Sequence, residues 1–130
     1  AECVELKGCQ TQGDTLEELQ RNAEEALNGY LSEPEDSNVL FPRPKNHVAT
    51  KASRILRVPV DPQVAMAMAV RQARIKAQKT QAQVAKSMGI RNISAYQKFE
   101  DPLTCNPGIV TLARLKQALP DLEVDEVIAL

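Results

Sequence analysis

The sequence predicts an α+β protein made of two small domains, and three observations indicate this division. Residues 1–42 hold ten acidic and two basic side chains, whereas residues 62–99 hold seven basic side chains and no acidic one. Five of the eight prolines lie at positions 34–62. Alternating apolar patterns occur only before residue 61, and helical spacing continues from there to the C-terminus. We therefore expect one domain at residues 1–60 and another at residues 61–130.

The first domain is predicted to be a small α/β sandwich. Short alternating patterns predict strands at residues 1–6 and 9–12, joined by a turn at Gly8. The β-branched residues at 54–60 predict a strand that returns to this sheet. Residues 33–53 contain three prolines and predict a loop or linker. Because the sequence begins inside the first strand pattern, we also expect a further strand before Ala1.

One amphipathic helix is predicted between the strands. Asp14 or Thr15 can cap its N-terminus, and Pro34 follows its expected end near Ser32. Apolar residues recur at spacings of three and four and form one stripe, namely Leu16, Leu19, Ala23, Ala26, Leu27 and Tyr30. The opposite face is acidic, which indicates a solvated or docking surface rather than a catalytic one.

Four helices are predicted in the second domain. Asp61-Pro62 begins a helix at residues 62–77, and Thr80 with Gln83 forms a capping box for the next one. Gly89 can adopt the left-handed conformation of a tight turn. Two more helices are expected at residues 92–100 and 108–119. The expected core side chains are aliphatic or aromatic: Val64, Met68, Ile75, Val84, Ala85, Met88, Ile90, Ala95, Phe99, Ile109, Leu112, Leu115 and Leu119.

This arrangement is typical of a helix-turn-helix that reads DNA. The small Ala85, the turn at Gly89, the capping box and the acid-free surface each have a separate role in that motif. We expect Gln81 and Lys86 to contact phosphates, and Asn92, Ser94 and Gln97 to contact base edges, with Arg91 and Lys98 able to do either. The alternative is a helical lobe whose basic side chains only solvate it.

No enzyme, metal site or cofactor site is predicted. The three cysteines, Cys3, Cys9 and Cys105, lack the spacing of a zinc site or a disulfide framework, which favours free thiols in a reducing cytoplasm. The single histidine, His47, lies among prolines without a nucleophile or base nearby in sequence. No stretch has the length and apolar character of a membrane span or a signal peptide.

The C-terminal half resembles the Cro and phage-repressor type of helix-turn-helix. The matching residues are Thr80-Gln81, Val84-Ala85, Gly89-Ile90 and Asn106-Pro107, followed by the helix that contains Leu112 and Leu119. In the recognition segment, Tyr96 and Gln97 depart from the apolar and polar alternation that this resemblance leads one to expect.

The N-terminal half resembles the HicB antitoxin family. The motifs that carry this resemblance are Glu5-Leu6-Lys7-Gly8-Cys9, Thr11-Gln12-Gly13-Asp14-Thr15-Leu16-Glu17-Glu18, Ala23-x-x-Ala26-Leu27-x-x-Tyr30-Leu31 and Val58-Pro59-Val60-Asp61. The resemblance implies a partial ribonuclease H-like sheet with one helix. It also implies an antitoxin that neutralises a small basic, RNA-cleaving HicA-type toxin and represses its own operon.

The acidic residues are the expected toxin-binding surface, namely Glu5, Glu17, Glu18, Glu24 and Glu25. A two-fold operator and an apolar tail (Val124, Val127, Ile128 and Leu130) predict a homodimer or higher homo-oligomer. Two alternatives remain open. One is a stand-alone transcriptional regulator whose first domain senses a ligand or dimerises, and the other is a degenerate nuclease.

Overall fold

The structure is a computed structural model, which describes residues 2, 3, 6, 8–32, 40, 41 and 58–124. The predicted toxin-binding residue Glu5, the single histidine His47, the residues of the tail after Val124 and most of the predicted linker lie outside these residues. The chain divides into two compact units. Asp61 and the residues after it belong to the second unit, and so does residue 32. We call residues up to 31 together with 40, 41 and 58–60 the N-terminal unit, and residues 61–124 the C-terminal unit.

The N-terminal unit contains no sheet among its described residues, so the predicted α/β sandwich and its ribonuclease H-like sheet are wrong. An isolated antiparallel bridge joins Glu2 and Gln10, and residues 58–60, the described part of the predicted returning strand, form no strand. The amide of Cys9 donates to the carbonyl of Leu6 at 3.1 Å, so a tight turn replaces the next rung of a ladder. An isolated hairpin is marginal without a third strand.

Helix α1 (Leu16–Leu31) is the main element of this unit. It begins where Thr15 caps it, because the hydroxyl of that residue accepts from the amide of Glu18 at 3.1 Å. The preceding loop comes so close to the helix that a Cβ at Gly13 would lie 2.6 Å from the backbone nitrogen of Leu19. Glycine at position 13 therefore permits this approach.

The apolar stripe of α1 is only partly covered. Leu31 is buried, whereas Leu16 is 63% exposed and Tyr30 is 39% exposed, so both ends of the predicted stripe contact water. The ring of Tyr30 packs against Phe41 with centroids 5.7 Å apart. The middle of the stripe is half-buried, at Leu19, Ala23, Ala26 and Leu27.

The C-terminal unit contains the four predicted helices, in the predicted order. Their bounds are α2 (Pro62–Lys76), α3 (Gln81–Ser87), α4 (Ile93–Gln97) and α5 (Ile109–Ala118). Asp61 is the N-cap residue of α2, but its side chain makes no capping hydrogen bond. Helix α4 is shorter than predicted, since residues 98–100 form a turn.

The core of this unit is formed from all four helices and the segments after α4 and α5. Its buried members are Met66, Ala67, Val70, Ala73, Val84, Ala85, Met88, Tyr96, Cys105, Leu115, Ala118, Leu119 and Leu122. The core predictions are wrong at Ala95, which is exposed, and at Ile109, which is 84% exposed. Met68 and Ile75 are half-buried and lie outside this cluster. Tyr96 occupies the buried position of α4 instead, because its hydroxyl has a buried polar partner and its ring packs edge-on against Phe99.

The turn between α3 and α4 depends on Gly89. Its φ of +75° lies in the left-handed region, and a Cβ there would meet open space. Any cost of a substitution is therefore backbone strain rather than a clash.

We expect Gly89→Ala to lower the free energy of unfolding by about 1–2 kcal/mol, because an L-residue with a Cβ is strained in this conformation. Gly89→Asn is the matched control, since asparagine adds a Cβ at the same place but tolerates the left-handed region better. Urea unfolding of the full chain measures both. An equal loss for the two variants would contradict the strain explanation.

Candidate nucleic-acid interface

The N-terminus of α3 is held by a reciprocal capping box. The hydroxyl of Thr80 accepts from the amide of Gln83 at 3.1 Å, and the amide of Thr80 donates to the side chain of Gln83 at 2.8 Å. Two of the free amides at the helix start are thereby satisfied. The predicted capping box is confirmed, and it places Gln81 at the first position of the helix.

The turn after α3 brings α4 across it. The amide of Gly89 donates to Lys86, and the amide of Ile90 donates to the carbonyl of Ala85 at 2.9 Å. These bonds return the chain against α3, so Val84 and Ala85 are buried. Ile90 is half-buried and packs against the core.

Helix α4 begins at a side-chain cap. The Oδ1 atom of Asn92 accepts from the amide of Ser94 at 2.9 Å, so one acceptor of this predicted base-reading residue is engaged in capping. Asn92 and Ser94 are both exposed. Asn92, which the sequence predicts to contact a base edge, therefore also caps α4.

A buried ion pair joins α2 to the segment after α4. The guanidinium of Arg74 donates to both carboxylate oxygens of Glu100, from Nε to Oε2 at 2.7 Å and from the terminal nitrogen to Oε1 at 2.9 Å. The other terminal nitrogen donates to the carbonyl of Lys79 at 3.1 Å. The ion pair is therefore bidentate. It is also shielded from water, because Glu100 is fully buried and Arg74 is 7% exposed.

Tyr96 completes this cluster. Its hydroxyl donates to Oε2 of Glu100 at 2.5 Å. Burial raises the pKa of the hydroxyl, and the charge of Glu100 raises it further, so this group stays protonated and donates. We call Arg74, Tyr96 and Glu100 the buried triad. The sequence did not predict this triad, although the first acid after the long acid-free stretch lies four residues beyond a tyrosine.

Two glutamines continue the buried triad toward the helix-turn-helix surface. The amide nitrogen of Gln81 donates to Oε1 of Glu100 at 3.4 Å, and the amide nitrogen of Gln97 donates to the side-chain oxygen of Gln81 at 3.0 Å. Both glutamines are half-buried. Gln81 and Gln97, which are predicted to contact a phosphate and a base edge, are therefore also hydrogen-bonded to each other.

The remaining predicted DNA contacts lie on the exposed surface. Lys86, Arg91 and Lys98 are all exposed. Lys86 and Arg91 line one depression, whose other lining residues are Ala82, Ala85, Gly89, Ile90 and Ile93. Of the predicted DNA contacts, the structure therefore brings together two cations, Lys86 and Arg91, and two glutamines, Gln81 and Gln97.

The predicted toxin-binding residues that are described all lie on α1. Glu17 and Glu25 are exposed, and Glu18 and Glu24 are half-buried. At 100° per residue, their spacing places the four on one face within an arc of roughly 120°. Arg21 falls in the middle of this arc. We call these five residues the α1 acidic face, which has a formal net charge of −3.

Comparison of the chain with models of protein families, with curated proteins and with solved structures finds no match. None of the five described helices has both the length and the apolar character needed to cross a bilayer. Among the described residues, no three His, Cys, Asp or Glu side chains are grouped so that they could hold a metal ion.

We expect Glu100→Leu to destabilise the C-terminal unit by about 3–5 kcal/mol, because Arg74 would remain buried without its counter-charge. The double variant Arg74→Met with Glu100→Leu should lose markedly less, since it removes both charges. Urea unfolding of the full chain, compared among Arg74→Met, Glu100→Leu and the double variant as a double-mutant cycle, measures the coupling. A double variant whose loss equals the sum of the single losses would show that the two side chains are not coupled.

Proposed function

We propose that this protein is an antitoxin with a DNA-binding C-terminal unit, which neutralises a small basic RNA-cleaving toxin and represses its own operon. The observation that carries the DNA-binding part is the pair α3 and α4 with the turn at Gly89. The exposed side chains of this pair include three cations, and no acid lies between residues 62 and 99. Such a surface is suited to the phosphate backbone, while the N-terminal residues of the second helix meet base edges.

The capping residues support a rigid reading helix in this proposal. Asn92 fixes the start of α4, and the buried triad fixes its end at Tyr96 and Glu100. A helix held at both ends loses little freedom on binding, so its side chains meet a duplex with little ordering cost. A homodimer would match a two-fold operator.

The α1 acidic face is the proposed docking surface for the toxin. Its four glutamates surround one arginine and keep a net negative charge, which would steer a basic partner and speed its association. Glu5, which the sequence predicts to belong to the same surface, lies outside the described residues. The protein would bind both the toxin and the operator DNA in the cytoplasm, where a thiol such as that of Cys105 stays reduced.

A stand-alone transcriptional regulator is the second candidate. The finding that favours it is the missing sheet, because the resemblance to HicB antitoxins implied one and the described residues of the N-terminal unit do not form it. A regulator needs only the C-terminal unit and a means of pairing. Co-expression with the protein encoded by the neighbouring gene, followed by pull-down, separates the two: capture of a small basic protein supports the antitoxin.

We expect Lys86→Ala and Asn92→Ser to weaken DNA binding in different ways. Lys86→Ala should lower affinity for all sequences alike and reduce the salt slope by about 1, as expected for a phosphate contact. Asn92→Ser keeps a capping oxygen but loses the amide, so it should lower specificity by roughly tenfold. The measurement is binding to the DNA upstream of the coding region and to random duplex across a salt series. If Asn92→Ser keeps the full preference for the upstream DNA, α4 does not read bases through this residue.

We expect the pair Glu24→Lys with Glu25→Lys to slow toxin association about tenfold at low salt, because it reverses the field of the α1 acidic face. These two positions avoid the first turn of the helix, where a new cation would oppose the helix dipole. Asp121→Lys with Glu123→Lys is the matched control, with the same charge change in the C-terminal unit. Stopped-flow association gives the rates, and equal slowing by both pairs would mean that only net charge matters.

A further inference from the structure

Ile93 stands out on the surface formed by α3 and α4. It is the first residue of α4 and is 41% exposed. Its neighbours Arg91, Asn92 and Ser94 are exposed and polar. An exposed isoleucine is unremarkable by itself, but this one occupies the end of the helix that would enter a DNA groove.

The core does not account for Ile93. Helix α4 supplies Tyr96 to the core with no exposed surface, and Phe99 packs against the core from the turn that follows. Ile90 covers the core at the turn before the helix. Ile93 therefore offers apolar surface on the outer side, where it lines the same depression as Ala82.

The chemistry of the major groove leaves one natural partner for such a side chain. Base edges there present hydrogen-bond donors and acceptors, and the single apolar group is the 5-methyl of thymine. Isoleucine makes no hydrogen bond, so it gains only where it removes a methyl group from water. Lys86 and Arg91 line the same depression, and their charges complement the phosphates that flank such a base.

We infer that Ile93 contacts the 5-methyl group of a thymine and so sets the preference of this protein for thymine at one position of each half-site. This inference rests on the proposed DNA-binding function. Loss of one buried methyl corresponds to roughly a three- to fivefold change in affinity. The preference therefore adds to that supplied by the polar residues Asn92 and Ser94.

The test replaces single thymines by uracil in a duplex taken from the DNA upstream of the coding region. Uracil keeps the base pair and removes only the methyl group. The unaltered protein should lose three- to fivefold in affinity at one position in each half-site. Ile93→Ala should bind the unmodified duplex as weakly as the unaltered protein binds the uracil duplex, and should lose nothing further on the uracil duplex.

Two further variants keep the result interpretable. Ile93→Val retains two methyl groups and should keep part of the dependence on thymine. Ile109→Ala is the matched control, because Ile109 is also an exposed first residue of a helix, and it should keep the full dependence. The inference is overturned if the protein binds the duplex but no uracil substitution lowers its affinity. It is also overturned if uracil lowers the affinity of Ile93→Ala as much as it lowers that of the unaltered protein. If the protein does not bind this DNA at all, the proposed function fails with it.

Discussion

The ion pair between Arg74 and Glu100 is the interaction on which the C-terminal unit depends. Two charges with almost no exposure to water carry a desolvation penalty that only close, satisfied geometry offsets. The structure provides that geometry with two parallel bonds between the pair and further bonds to Tyr96 and to the carbonyl of Lys79. Replacing one partner would leave a buried charge, so the pair fixes how α2, α4 and the turn after α4 are arranged.

The same carboxylate links the interior to the surface. Glu100 accepts from Gln81, which in turn accepts from Gln97. The relative position of α3 and α4 is therefore set by polar bonds as well as by the packing of Val84 and Ala85. Directional bonds specify one arrangement, whereas apolar contacts alone tolerate sliding.

The N-terminal unit is organised by different means. Its described core residues are few, and its main helix keeps Leu16 and Tyr30 partly in water. The close approach of Gly13 to the start of α1 and the bond from Asn22 to the carbonyl of Gln12, at 2.9 Å, hold the preceding loop to the helix. Polar and backbone contacts thus supply much of the order of this unit.

The sequence alone determined the features that depend on neighbours within a few residues. The helix starts at Thr15 and Thr80, the left-handed turn at Gly89 and the separation of charge between the two halves all follow from local chemistry. Helix capping and turn formation need only residues within about four positions of each other, so their signals can be read directly along the chain.

The tertiary structure alone decided the features that join distant residues. Arg74 and Glu100 are 26 positions apart, and their meeting is what makes Tyr96 rather than Ala95 the buried residue of α4. The sheet of the N-terminal unit was a wrong prediction for a related reason. A strand in a sheet must pair with another strand from elsewhere in the chain. A short alternating pattern does not indicate whether another segment forms such a strand beside it.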